Sequence, residues 1–201
     1  TCTFHEGRLW FGGSKSRPTT VWGSNVNDFF NFREGKGRAD ELVNATLDTD
    51  QLNQITALFS NRGLQVFTTG QEFYVPASPI TPENIVVKPQ TNLGSRRLRP
   101  VTVEGVTLYA QRTGKSVNQF LFLDSLQANA STSATSLAPH LIDTPTDMTV
   151  KQGSNSSDAN YVYILNDNGN LTVLNTLLSE DVQAFTSWLA AGSGDNEISD
   201  I

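Results

Sequence analysis

Four passages of this chain share one layout: a glycine or polar turn, an apolar strand, a short turn, and a second strand with aromatic or branched residues. The first runs through Gly7-Arg8-Leu9-Trp10-Phe11, Gly12 to Pro18, and Thr19-Thr20-Val21-Trp22. The second is Gly63-Leu64-Gln65-Val66-Phe67, a turn near Thr69-Gly70, and Glu72-Phe73-Tyr74-Val75. The third is Gly105-Val106-Thr107-Leu108-Tyr109, a turn at Thr113-Gly114-Lys115, and Asn118-Gln119-Phe120-Leu121. The fourth is Tyr161-Val162-Tyr163-Ile164, the turn Asn166-Asp167-Asn168-Gly169, and Leu171-Thr172-Val173-Leu174. A small sheet with an apolar face cannot stand alone in water, so units of this kind stack and repetition builds a continuous core.

The steps from Leu9 to Leu64, Val106 and Tyr161 are about 55, 42 and 55 residues, within reach of propeller-blade periods. Alternation at Leu64/Val66 and Val106/Leu108 marks one buried face per strand. Asn168-Gly169 signals a hairpin, because both residue types tolerate positive φ. Further strands fit at Asp28 to Phe32, Asn84 to Val87, Met148 to Lys151 and Val182 to Trp188. A short helix fits Thr49 to Ile55, and the polar stretches Asn129 to Ser136 and Gly153 to Asp158 read as loops. The expectation is a single all-β domain over residues 1–201, with β-propeller-like blades in about four antiparallel units. A β-sandwich is the alternative. The chain opens on Thr1-Cys2-Thr3-Phe4 and has its one Met at Met148, so it reads as a fragment of a longer polypeptide and of a larger propeller.

Composition narrows the function classes. Charged residues make up 17 % and the formal net charge is −6, which gives no basic surface for general phosphate neutralisation. The local run Arg96-Arg97-Leu98-Arg99 reads as a solvated loop flank. A lone cysteine, Cys2, cannot close an internal disulfide. No apolar run is long enough to span a membrane, so no membrane partner is expected.

The candidate chemical motifs lack their supporting residues. Thr113-Gly114-Lys115-Ser116 resembles the end of a phosphate loop, but Tyr109 stands where the first glycine belongs and a strand-like segment follows. Gly12-Gly13-Ser14-Lys15-Ser16 has the wrong spacing. The histidines, His5 and His140, come without a Gly-x-Ser-x-Gly elbow. One Cys and two isolated His residues do not make a zinc pattern. Asp48-Thr49-Asp50 and Asp167-Asn168-Gly169-Asn170 echo fragments of calcium loops without the terminal Glu. Glu6, Glu72 and Glu104 are available carboxylates, with nothing that selects a pair. The expectation is a non-enzymatic chain with no catalytic residue, no cofactor and no metal.

Gly12-Gly13-Ser14-Lys15-Ser16-Arg17-Pro18-Thr19-Thr20-Val21-Trp22-Gly23-Ser24 resembles tail proteins of short-tailed bacteriophages and related prophages, of the tail tubular protein B or nozzle class. The likeness continues in Asp28-Phe29-Phe30-Asn31-Phe32, in Leu64 to Val75, in Ser78-Pro79-Ile80-Thr81-Pro82 and in Ala138-Pro139-His140-Leu141-Ile142. The resemblance implies a virion structural protein of the tail, made in the bacterial host cytoplasm. It also implies a β-propeller, other tail and adaptor proteins as partners, and a homo-oligomeric ring around the channel for DNA ejection, where DNA passes nearby without specific binding. It brings no catalytic residues. The mixed-charge stretch Arg33-Glu34-Gly35-Lys36-Gly37-Arg38-Ala39-Asp40 departs from the more acidic pattern of that class. A carbohydrate- or receptor-binding β module, with exposed aromatics around Trp10 and Trp22 forming a groove, is the alternative function; the expectation for both tryptophans, as for Phe67, Tyr74 and Trp188, is packing between twisted sheets.

Overall fold

A computed structural model describes residues 1–49, 53–155, 158–177, 180 and 182–188. The chain is all-β: among the described residues sixteen strands form four antiparallel sheets of four strands each, every sheet built from strands consecutive in sequence. It divides into two compact units, Thr1–Arg97 with Leu123–Asn129, and Leu98–Phe122 with Ala130–Ile201. No helix among the described residues is long and apolar enough to cross a membrane.

In the first unit, one sheet consists of β1 (Cys2–His5), β2 (Arg8–Gly12), β3 (Thr20–Gly23) and β4 (Val43–Thr46). The other consists of β5 (Ile55–Ser60), β6 (Leu64–Thr68), β7 (Glu72–Val75) and β8 (Lys88–Thr91). Strand parity decides what each face carries. Trp10, Val21 and Val43 point from the first sheet into a core completed by Ile55, Leu58, Leu64, Val66, Phe73 and Val75 of the second. Trp10 is fully buried and lies opposite Gly23 in the strand register. A Cβ at Gly23 would stand 3.0 Å from the Trp10 ring, so the glycine makes room for the indole. The Trp10 Nε1–H donates to the His5 carbonyl at 3.2 Å, which satisfies the one polar atom of that ring.

The second unit contains β9 (Val101–Val103), β10 (Val106–Ala110), β11 (Val117–Leu123) and β12 (Ala128–Ser133). Its other sheet is β13 (Pro145–Lys151), β14 (Asn160–Asn166), β15 (Leu171–Leu177) and β16 (Val182–Trp188). Val101, Val103, Leu108 and Val117 meet Met148, Val162, Ile164 and Leu174 in a shared core. The opposite face of the last sheet carries Leu165, Leu171 and Val173 beside Tyr161 and Tyr163, and Trp188 packs edge-on against Tyr163 at 6.0 Å. In each unit the two sheets come nearest at their first strands: β1 and β2 lie against β5, and β9 against β13.

All four repeated passages became the two central strands of a sheet. The expected strands at Met148 to Lys151 and Val182 to Trp188 fall in β13 and β16. Other expectations fail for local reasons. Asp28 to Phe32 is not a strand, because Asn25 N–H bonds Asn31 O (3.0 Å) and the segment closes on itself. Asn84 to Val87 is displaced by the turn at Thr81, where the Asn84 side chain accepts the Thr81 N–H at 2.8 Å, and pairing begins only at Lys88. The polar stretch Asn129 to Ser136, expected as a loop, contains most of β12. Its hydroxyls are used across the sheet, Ser131 with Tyr109 (2.7 Å) and Thr132 with Gln119 (2.9 Å). Of the expected helix at Thr49 to Ile55, residues 50–52 lie outside the described residues and Ile55 opens β5. Residues 156–157 of the expected Gly153 to Asp158 loop also lie outside them.

The Asn168-Gly169 hairpin forms by a route other than the expected one. Only Gly169 has positive φ (73°), and its N–H bonds Asn166 O at 3.0 Å, giving a turn followed by a left-handed glycine. The two-residue turns with positive φ at both positions are elsewhere, at Glu6-Gly7 (47° and 68°) and Glu104-Gly105 (49° and 83°).

The contact between Trp10 and Gly23 yields a direct prediction. Gly23→Val overpacks the core and costs about 2 kcal/mol, whereas Trp10→Ala leaves a cavity and costs about 4 kcal/mol. Urea unfolding of both variants measures these losses.

Candidate functional site

The face of the first sheet turned away from its core is built by a cross-strand row. Cys2, Phe11, Trp22 and Asn44 are successive register partners on β1 to β4, so their side chains share one face by the period of two along each strand. Trp22 is therefore on the opposite side of the sheet from Trp10. The expectation of packing between sheets holds for Trp10, which is core, and fails for Trp22, which is half-buried on the other face, so the alternative groove cannot include both.

The long β3–β4 connection, Ser24 to Leu42, raises walls around this row. It brings Phe29 onto Phe4 (centroids 5.1 Å apart, edge-on) and Phe32 onto Phe11 (5.5 Å). The result is a groove of about 390 Å³ lined by Phe11, Trp22, Phe32 and Leu42, with Arg17, Glu34 and Asn44 at its polar margins. Arg17, Glu34 and Asn44 are exposed. Arg17 and Glu34 carry opposite charges into one groove and form no ion pair with each other.

The two ends of the loop are held by Arg8. Its side chain is 1 % exposed and donates to three backbone carbonyls, of Ser24 (2.5 Å), Glu41 (2.6 Å) and Ala39 (2.5 Å). Burial lowers its pKa, and the nearby Asp40 and Glu6 act against that shift; a guanidinium stays charged all the same. The Glu41 carboxylate closes the turn by accepting the N–H groups of Gly37 (2.7 Å) and Arg38 (3.0 Å), and the Arg38 bond foremost holds its pKa below the usual carboxylate value. Val26 N–H to Asp40 O (2.9 Å) and Asn27 N–H to Gly7 O (2.8 Å) tie the loop ends together.

The other sequence candidates are occupied locally. Thr113-Gly114-Lys115-Ser116 is the β10–β11 hairpin, with Gly114 N–H on Gln111 O (2.9 Å) and Lys115 paired with Asp143 at 2.5 Å. That pairing keeps the Asp143 pKa low. Glu6 accepts Ser78 Oγ (2.5 Å) and Ile80 N–H (2.8 Å). Glu72, fully buried, accepts Thr91 Oγ1 at 2.5 Å, and Glu104 accepts Asn160 Nδ2 at 2.6 Å. His140 sits exposed in the short turn Pro139–Leu141. Arg97 and Arg99 are exposed and Arg96 is half-buried. Among the described residues no group of three or more His, Cys, Asp or Glu converges. Asp50 of the calcium-like fragment lies outside them.

His5, by contrast, is buried, with Nδ1 2.8 Å from Ser60 Oγ on the neighbouring sheet. Burial pushes its pKa below 6.5, partly offset by Glu6. No protein-family model and no curated protein matches this chain.

Two outcomes follow from Arg8 and His5. Arg8→Met strands three carbonyls and costs about 3 kcal/mol, with hydrogen exchange accelerating across residues 24–42 before it does in β6 and β7. For His5 the unfolded chain takes up the proton more readily than the native one. Stability is therefore complete above pH 6.5 and declines below it, by at most about 1.4 kcal/mol per pH unit, until the native pKa is passed. Denaturant titrations from pH 7 to pH 5 should show that decline, and His5→Gln should flatten it.

Proposed function

We propose that this chain is a structural component of a phage or prophage tail, of the nozzle or tail-tube kind, acting through subunit contacts around the channel for ejected DNA. The tail assignment rests on the sequence resemblance. The observation that carries a contact-driven role is Phe30, 92 % exposed on the loop that Arg8 clamps. A large apolar ring held in water on a fixed loop contributes little to the fold, and a partner surface would recover its burial.

The four sheets act in this reading as blades of a propeller that extends beyond this chain. The approach of first strands within each unit supports that arrangement, since blades draw together at a hub and fan outward. The partners are other tail and adaptor proteins and further copies of the full-length protein, and the place of action is the virion tail. The net charge of −6 suits a wall past which DNA slides, because few phosphates would be held.

Phe30→Ser tests the contact. In the isolated chain it shifts stability by no more than about 0.5 kcal/mol, as an exposed position should. In the full-length protein it impairs ring and tail assembly, read by negative-stain imaging of particles. Complete tails and normal DNA delivery from particles lacking the protein altogether would refute the proposal.

A further inference from the structure

We propose that the groove on the open face of the first sheet binds a neutral carbohydrate chain. This goes beyond the tail role and does not depend on it, since it concerns a ligand of the chain's own surface.

The floor has the chemistry that a sugar ring selects. Phe11 and Trp22 are direct register partners, and Phe32 packs on Phe11 from the loop. Together they offer adjoining aromatic surfaces against which the C–H face of a pyranose buries apolar area. Trp22 is half-buried and Phe11 is 40 % exposed, so these rings are fixed by the fold and still reachable.

The margin selects against other ligands. Arg17 supplies donors, Glu34 supplies acceptors and Asn44 supplies both. Their charges cancel, which matches a ligand rich in hydroxyls that donate and accept. A polyanion such as nucleic acid would meet Glu34 and a single Arg. A covering protein sheet would have to desolvate the unpaired Arg17 and Glu34, a heavy cost for charges without partners. The groove volume of about 390 Å³ falls in the range of small-ligand sites. The loop that forms its wall is already ordered by the Arg8 clamp, so little conformational entropy is lost on binding.

The test uses the full 201-residue chain on an array of neutral and acidic oligosaccharides, followed by calorimetric titration with the neutral oligosaccharides it retains. Sedimentation is run alongside, and oligo(dT) serves as a nucleic-acid control. Neutral oligosaccharides should bind. Trp22→Ala should weaken them about tenfold or more and Trp22→Phe much less, as expected for loss of an aromatic platform. Arg17→Ala and Glu34→Gln should each reduce affinity without lowering the melting temperature, because both side chains are exposed. The proposal is overturned if no neutral oligosaccharide binds, or if binding survives Trp22→Ala. Preference for acidic glycans or oligo(dT) would overturn it as well. So would concentration-dependent self-association abolished by Trp22→Ala, which would make a second copy the occupant.

Discussion

A four-stranded meander with one apolar face needs a second layer, and in this chain the layer is supplied by the sheet that follows in sequence. Trp10, Val21 and Val43 have no meaning without Leu58, Leu64 and Val66 across the gap. The same holds for Val103 and Leu108 against Val162 and Ile164. Removal of this shared apolar surface from water dominates the free energy of such small sheets, and it sets the order in which everything else is built. The hairpins, the polar edge strands and the long loop are arranged around these shared cores.

Strand parity then divides chemistry from packing. On β2, Arg8 and Trp10 take one side and Leu9 and Phe11 the other, so a five-residue strand supplies a clamp, a core anchor and part of a groove floor. Arg8 is the costliest of these placements. A buried guanidinium must be compensated by hydrogen bonds, and here the carbonyls of Ser24, Ala39 and Glu41 provide them and draw the two ends of the Ser24 to Leu42 segment together. The clamp therefore fixes where the loop leaves and rejoins the sheet.

The central hairpins were legible because their signals are local: alternation at Leu64/Val66, glycine at the turns, and aromatic or branched residues in the second strand. The outer strands were harder. Lys88-Pro89-Gln90-Thr91 and Ala128 to Ser133 are edge strands with polar, largely unburied side chains, so hydrophobic periodicity has nothing to report there. Val101 to Val103 has the right residues but only three of them. The groove was half visible. Trp22 reads from the sequence as packing between sheets, and only the register that sets it opposite Phe11, and Trp10 opposite Gly23, puts it on the open face. Phe32 fits a strand by pattern, and its place as a wall belongs to a loop closed by contacts distant in sequence, those of Arg8 with Ser24, Ala39 and Glu41 among them. Such long-range polar contacts leave no period to detect.

The unequal spacing of the four passages has a structural counterpart. The interval from Leu9 to Val106 equals that from Leu64 to Tyr161, which makes the sheet pair, and not the single sheet, the repeating element. The turns agree. Glu6-Gly7 and Glu104-Gly105 both join the first two strands of the leading sheet of a unit, and both have positive φ at each residue. Each glutamate reaches the trailing half of its own unit, Glu6 to Ser78 and Ile80 in the β7–β8 connection, Glu104 to Asn160 at the start of β14. A turn that demands Gly at its second position and places a carboxylate beside it acts as a clasp between layers. Its recurrence at equivalent places in both units, and its replacement by Asn61-Arg62-Gly63 in the trailing sheet of the first, argue that two layers were the unit of construction. That order also follows from the physics, since two layers are the smallest number that can hide an apolar face.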